Sequence, residues 1–275
     1  MLPPEQRMNA LWVGKPGTRK SITASEFHKL GPVYFFDFDG KADALYAWYG
    51  GRLPDNITIE PFVESAWATE TAKAESIDAL QLQVNSWMKE FATFDEVRKR
   101  IVWNDFPYDT VVLDSLSSFD TAMMIKSIED QLHDVPRPAA QVPDRSDYNI
   151  LLTYTRQFMG KFLSLPCNVI VIAHVMASAG EEGATMDQII VSGRKLPGQL
   201  PAFFSNIWGF TAGVGFREKE VDPKTGLAVP NVEFKIRLHP TRNFPYKCMY
   251  YPCPPAIDSS FEAIQKMRAN AKGGG

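Results

Sequence analysis

Leu11-Trp12-Val13-Gly14-Lys15-Pro16-Gly17-Thr18-Arg19-Lys20-Ser21 decides how the rest of this 275-residue chain is read. Met8 to Val13 is a short apolar run, as expected of a buried strand. Gly14 to Gly17 can turn tightly, and Lys20-Ser21 opens a helix expected over Ser21 to Leu30. Ile22, Phe27 and Leu30 give that helix an apolar side, and Gly31 is its stop. Strand, glycine loop, Lys-Ser and helix follow the order of G-x-x-x-x-G-K-[ST], in which backbone N–H groups at a helix start point at phosphate oxygens. Gly14, Lys15, Pro16, Gly17, Thr18, Arg19, Lys20 and Ser21 are therefore the candidate nucleotide-binding residues. Lys20 would reach the β- and γ-phosphates, and the Ser21 hydroxyl would bind Mg²⁺. Arg19 departs from the pattern, which has a glycine there. On these residues alone, an ordinary Gly-Pro turn before a helix is the competing reading.

Working outward, Tyr108-Asp-Thr-Val-Val-Leu-Asp114-Ser115 is a β-prone run ending in an acid. That is the form of a strand whose terminal carboxylate holds Mg²⁺, and Asp114 is the second candidate metal ligand and a candidate catalytic residue. An Asp that merely caps the next helix would look the same. Val33 to Gly40 is a continuous run of the kind buried on both faces of a parallel sheet, with Asp37 and Asp39 at its carboxyl end. Asn168-Val-Ile-Val-Ile-Ala-His174 is another, tipped by His174, which could sense a γ-phosphate or orient water. Its tip is expected beside the strand that carries the loop or Asp114.

Other elements are placed more coarsely. Ile57 to Glu60 reads as a third strand, and Glu75 to about Arg100 as one long helix. A helix over 118–132, an exposed loop over 133–147 and a helix over Tyr148 to Leu165 follow. Ile189-Ile190-Val191 is a short strand. Asn206 to Phe216 and Val232 to His239 form an antiparallel hairpin around Asp222-Pro-Lys-Thr-Gly226. Lys247 to Tyr251 would add an edge strand, and a helix near Ser260 to Ala269 would close the chain. The fold class expected is α/β: a three-layer, mainly parallel sheet with an antiparallel C-terminal extension. It is read as a single domain, with a core over about 8–205 and an extension over about 206–272.

The formal charge of −3 lacks the basic balance of a simple nucleic-acid-binding domain, although a local basic groove remains open. Cys167, Cys248 and Cys253 form no C-x-x-C pair or zinc spacing, and read as free thiols. With no signal-like or membrane-spanning apolar run, the expectation is a cytoplasmic protein without membrane contact.

Gly14–Ser21, Tyr34–Gly40, Val111–Ser115 and Val169–His174 together resemble the RecA-like P-loop ATPases of bacteriophages, particularly the phage nucleotide-binding proteins that act as minimal recombinases. Lys195 to Phe204 and Arg242 to Lys247 share the likeness. The resemblance implies ATP and Mg²⁺ as cofactors, a homo-oligomer, and single-stranded DNA as partner in annealing or strand pairing. It also implies an acidic general base from a neighbouring strand: Glu60 and Glu64 are candidates, and Asp39 is another. Arg194, Lys195 and Arg242 are candidates for charge supplied across a subunit interface. Arg217, Lys219, Lys224, Lys235 and Arg237 decorate the hairpin, each with a solvated surface charge as the plainer reading. The segment from Met176 to Ser192 would contact DNA, although it has acids and no basic residue before Arg194. Two alternatives stay open. Arg19 would leave a nucleotide-gated assembly module with little hydrolysis, or Lys15-x-Gly17-x-x-Lys20-Ser21 would mark a partition-type ATPase whose early lysine reaches across a dimer.

Overall fold

The computed structural model of the chain describes residues 7–62, 75–132, 143–179, 185–193, 195–221, 228–241 and 243–272. Glu64, Arg194, Arg242, the turn at 222–227 and most of the loop expected over 133–147 lie outside them. Strand β1 (Asn9–Gly14) leads into helix α1 (Lys20–Ser25), which a 3₁₀ turn extends through Lys29. Then come β2 (Val33–Asp37), α2 (Asp43–Trp48), β3 (Ile57–Pro61), α3 (Glu75–Phe91), β4 (Ala92–Asp95), β5 (Arg100–Trp103), β6 (Thr110–Asp114), α4 (Leu116–Leu132) and α5 (Arg145–Phe162). The chain continues through β7 (Asn168–Ala179), β8 (Thr185–Ile189), α6 (Leu196–Gln199), β9 (Asn206–Val221), β10 (Ala228–Arg237), β11 (Ala256–Asp258) and α7 (Phe261–Lys272).

Among the described residues the main sheet has nine strands, ordered β11-β10-β9-β1-β7-β6-β2-β3, with β8 paired to β7. From β9 through β3 every pair is parallel; β10 and β11 add antiparallel strands at the other edge. Continuous apolar runs suit this position, because a central parallel strand is covered on both faces. Leu11, Val13, Phe36, Leu113 and Val171 face a core completed by α3, α4 and α5. Their alternates Trp12, Phe35, Val112 and Ile172 face a second core with Phe27, Leu45 and Ile264. The expected three-layer α/β architecture with its antiparallel extension is the observed one.

Some local readings are corrected. The long helix ends at Phe91 rather than near Arg100, and a β4–β5 hairpin follows. Asp95 accepts hydrogen bonds from the N–H groups of Val97 and Arg98, and Lys99 takes a positive φ of 49°. That turn chemistry and the β-prone Ile101-Val102-Trp103 override the helical spacing. The strand expected at Ile189–Val191 is instead β8, which ends at Ile189. Lys247 to Tyr251 is not an edge strand. It makes one bridge, Lys247 to Ile207, and the edge belongs to β11. Helix α5 starts at Arg145 because Asp144 and Asp147 form a capping box ahead of Tyr148. None of the described helices is long and apolar enough to cross a membrane.

Phe36 is fully buried and packs against Tyr34, Phe62, Trp87 and Phe162. Phe36→Ala should cost about 3–5 kcal/mol of stability, measured by urea unfolding.

Candidate functional site

The period of two along a strand sets the site. Gly14, Asp37 and Asp114 end their strands, and His174 stands level with Gly14 on β7, all on the side that Trp12, Phe35, Val112 and Ile172 occupy. That is the face on which α1 packs. Strand β7 lies between β1 and β6, so His174 stands opposite Gly14 in register, while Asp37 stands opposite Asp114. His174 thus neighbours both the loop strand and the Asp114 strand.

The loop closes on its own lysine. Lys20 Nζ donates to the carbonyls of Gly14 (2.8 Å) and Lys15 (2.9 Å) and lies 3.3 Å from Thr18 Oγ1. A Cβ on Gly14 would come within 2.5 Å of the Phe210 carbonyl, so glycine is required where β9 runs alongside the start of the loop. Gly17 has φ +77°, with open space where a side chain would sit. Lys15, Pro16 and Gly17 are exposed, whereas Thr18 and Lys20 are buried. Beside the loop is a cavity of about 670 Å³, lined in part by Lys15, Thr18, Phe210, Arg237 and Tyr246. That is a volume typical of small-molecule sites.

Arg19 adopts the left-handed conformation, φ 67° and ψ 15°, that a glycine would supply. For an L-residue this costs about 1 kcal/mol or more. Its side chain turns away from the loop's interior. The guanidinium carbon lies 4.5 Å from the Trp48 ring centre and 5.4 Å from that of Phe234, and Nη2 is 3.9 Å from Glu26 Oε1. Cation–π contacts of this kind contribute about 0.5–2 kcal/mol, enough to offset the backbone strain.

Around Lys20 stand acids in contrasting states. Burial pushes the Asp114 carboxyl up to about 6, against the hydrogen bond from Ser21 and with the nearby charges of Asp39 and Asp37 adding to the rise. Burial lowers Lys20 to about 8, although Asp114 and Asp39 both favour its charged form. Burial also raises Asp39, but hydrogen bonds outweigh it and hold this carboxyl well below the usual range. Its Oδ1 accepts from Ser115 Oγ (2.7 Å) and Ser118 Oγ (2.6 Å), and its Oδ2 lies 3.0 Å from His174 Nε2. The His174 backbone N–H donates to Ser117 Oγ, while the buried Nδ1 of the His174 ring has no hydrogen-bond partner among the described residues. Asp37 Oδ1 accepts the N–H groups of Asp39, Gly40 and Lys41, which fixes the turn that carries Asp39.

Lys20, Ser21, Asp114 and His174 are thus brought together, with Asp39 among them. Glu60 is not: it is exposed on edge strand β3, opposite Phe36 and near Tyr108. Ser118 was not singled out from the sequence, and Asp37 and Ser115 were noted only as residues at strand ends, without a role. The spacing Asp37-Phe-Asp39 and the dipeptide Asp114-Ser115 were the available signals. Trp48 and Phe234 gave none. The donor set fits Mg²⁺ and a polyphosphate. An amine is held inside a glycine-permitted cradle, and a hydroxyl and a carboxylate are hydrogen-bonded to each other at its rim.

The parallel sheet, the loop and the acid at the neighbouring strand tips define a P-loop nucleotide-binding domain of the ATPase type. A protein-family model described as an AAA domain matches residues 6–202, and the chain belongs to that family. No curated protein matches the chain.

Asp114 is protonated more readily in the folded chain than in the unfolded one. Its contribution to the nucleotide-free protein's stability therefore falls as pH rises from about 4 to about 6, and the charged form is unfavourable at pH 7. Asp114→Asn should raise the nucleotide-free Tm at pH 7 by about 2–4 °C, with little change at pH 4, by scanning calorimetry.

Proposed function

We propose that this chain binds and hydrolyses Mg·ATP and uses the cycle to act on single-stranded DNA, in recombination or annealing, as a homo-oligomer. The observation that carries the ATPase reading is the meeting of Lys20, Ser21, Asp114, Asp39 and His174 at one edge of the sheet. In this reading Lys20 neutralises the β- and γ-phosphates, and Ser21 and Asp114 hold Mg²⁺. When bound, Mg²⁺ would supply positive charge that offsets the negative charge developing on the transferred phosphoryl group. Asp39, rather than Glu60, orients the attacking water and takes its proton. Ser115, Ser118 and His174 hold the Asp39 carboxylate in a fixed direction.

The DNA part rests on the phage RecA-like resemblance and on one continuity of the backbone. Strand β7 runs through His174 without a break into the β7–β8 ribbon, and the His174 carbonyl accepts from Ile190 N–H on the return side. A change at the γ-phosphate position therefore has a direct covalent route to the segment expected to meet DNA. The low proton affinity of Asp39 favours a second reading, in which turnover is slow and nucleotide binding itself gates assembly. Phosphate release separates the two.

Asp39→Asn should lower the rate of phosphate release by about 10²–10⁴ while ATP still binds, and Lys20→Ala should remove activity. Equal rates in wild type and Asp39→Asn would remove Asp39 from this role. On single-stranded DNA, a gel shift should require ATP and weaken as salt rises. No shift at low salt with ATP bound would overturn the DNA reading and leave the ATPase reading standing.

A further inference from the structure

We infer that Arg19 is a positioning residue. Its guanidinium, docked against Trp48 and Phe234, is the clamp that keeps the phosphate loop in its cradling shape. The inference rests on the ATP-binding reading for its affinity readout only. Three observations meet at this one side chain. The backbone at Arg19 is left-handed, a state disfavoured for an L-residue relative to glycine. The guanidinium is stacked 4.5 Å from the centre of Trp48, the last residue of α2, and 5.4 Å from that of Phe234 on β10. The third contact, Glu26, is buried and accepts the Phe261 N–H at the start of α7, so the anchor is fixed to three separate elements.

What the clamp holds is the start of α1. The Arg19 carbonyl accepts the first helical hydrogen bond, from Thr23 N–H at 2.9 Å. The next residue is Lys20, whose Nζ closes the loop on Gly14 and Lys15. If residue 19 relaxes out of the left-handed state, the direction of the loop's N–H groups and the path of Lys20 change together. A glycine there would hold the same shape unaided, at no steric cost. An arginine makes the loop dependent on aromatic rings from the α2 and β10 segments. The seating of the antiparallel extension thereby becomes a condition of phosphate binding.

This predicts a coupling. Trp48→Ala should weaken ATP binding about fivefold in the chain carrying Arg19, measured by titration calorimetry with Mg·ATP. In an Arg19→Gly background the same Trp48→Ala change should alter affinity less than about twofold. Trp48→Phe, which keeps a ring under the guanidinium, should restore most of the loss, and Phe234→Leu should behave as a milder Trp48→Ala. A second readout needs no nucleotide. Amide hydrogen exchange over 17–22 should accelerate on Trp48→Ala when Arg19 is present and stay unchanged in the Arg19→Gly background. If Trp48→Ala weakens ATP equally in both backgrounds, the ring acts on the nucleotide directly and the clamp is wrong. If exchange over 17–22 does not respond to Trp48→Ala, the clamp is likewise wrong. Failure of the wild-type chain to bind ATP, with the exchange coupling intact, would overturn the nucleotide reading and leave the clamp.

Discussion

The parallel pairing of β7 with both β1 and β6 is the constraint on which the site depends. These strands are apolar on both faces, so their register is fixed by burial against two cores at once. With that register set, Gly14 and His174 stand side by side, and Asp114 ends one strand further on. Polar residues along the strands would have been costly inside the sheet. At the tips they are free to meet one another and a ligand, which is why α/β sheets bind at this edge.

Two charges of opposite sign share that edge in tension. Lys20 is drawn toward its neutral form by burial, and Asp114 is pushed toward its protonated form by the same cause. Asp39, also enclosed, goes the other way because three side-chain hydrogen bonds satisfy its carboxylate. The contrast separates roles among chemically similar acids. One acid gains from a cation beside it, and the other is already stabilised as an anion in a fixed orientation. Membership in the AAA domain family, over residues 6–202, accords with a site arranged to receive a charged phosphate chain.

The departure at Arg19 looks, in sequence, like damage to the phosphate loop. In the fold residue 19 takes the left-handed backbone that a glycine adopts readily, and the strain is offset by aromatic contacts. The loop's shape is thus tied to α2 and to β10, the latter outside the stretch that the family model covers.

The sequence alone determined the sheet-forming runs, the loop, and the acids and histidine at the strand tips, because burial on both faces writes a continuous apolar pattern and glycine marks a tight turn. It misread residues 92 to 100, where helical spacing of apolar residues ran on into a hairpin governed by Asp95 and Lys99. Nor did it show that Asp39 meets His174 whereas Glu60 does not. Both follow apolar strands, and only strand order shows that β2 pairs with β6 while β3 lies at the edge. The direction of the Arg19 side chain was likewise decided by tertiary structure. Its partners Trp48 and Phe234 come from separate segments, and no local periodicity records a contact made between elements that only the folded sheet brings together.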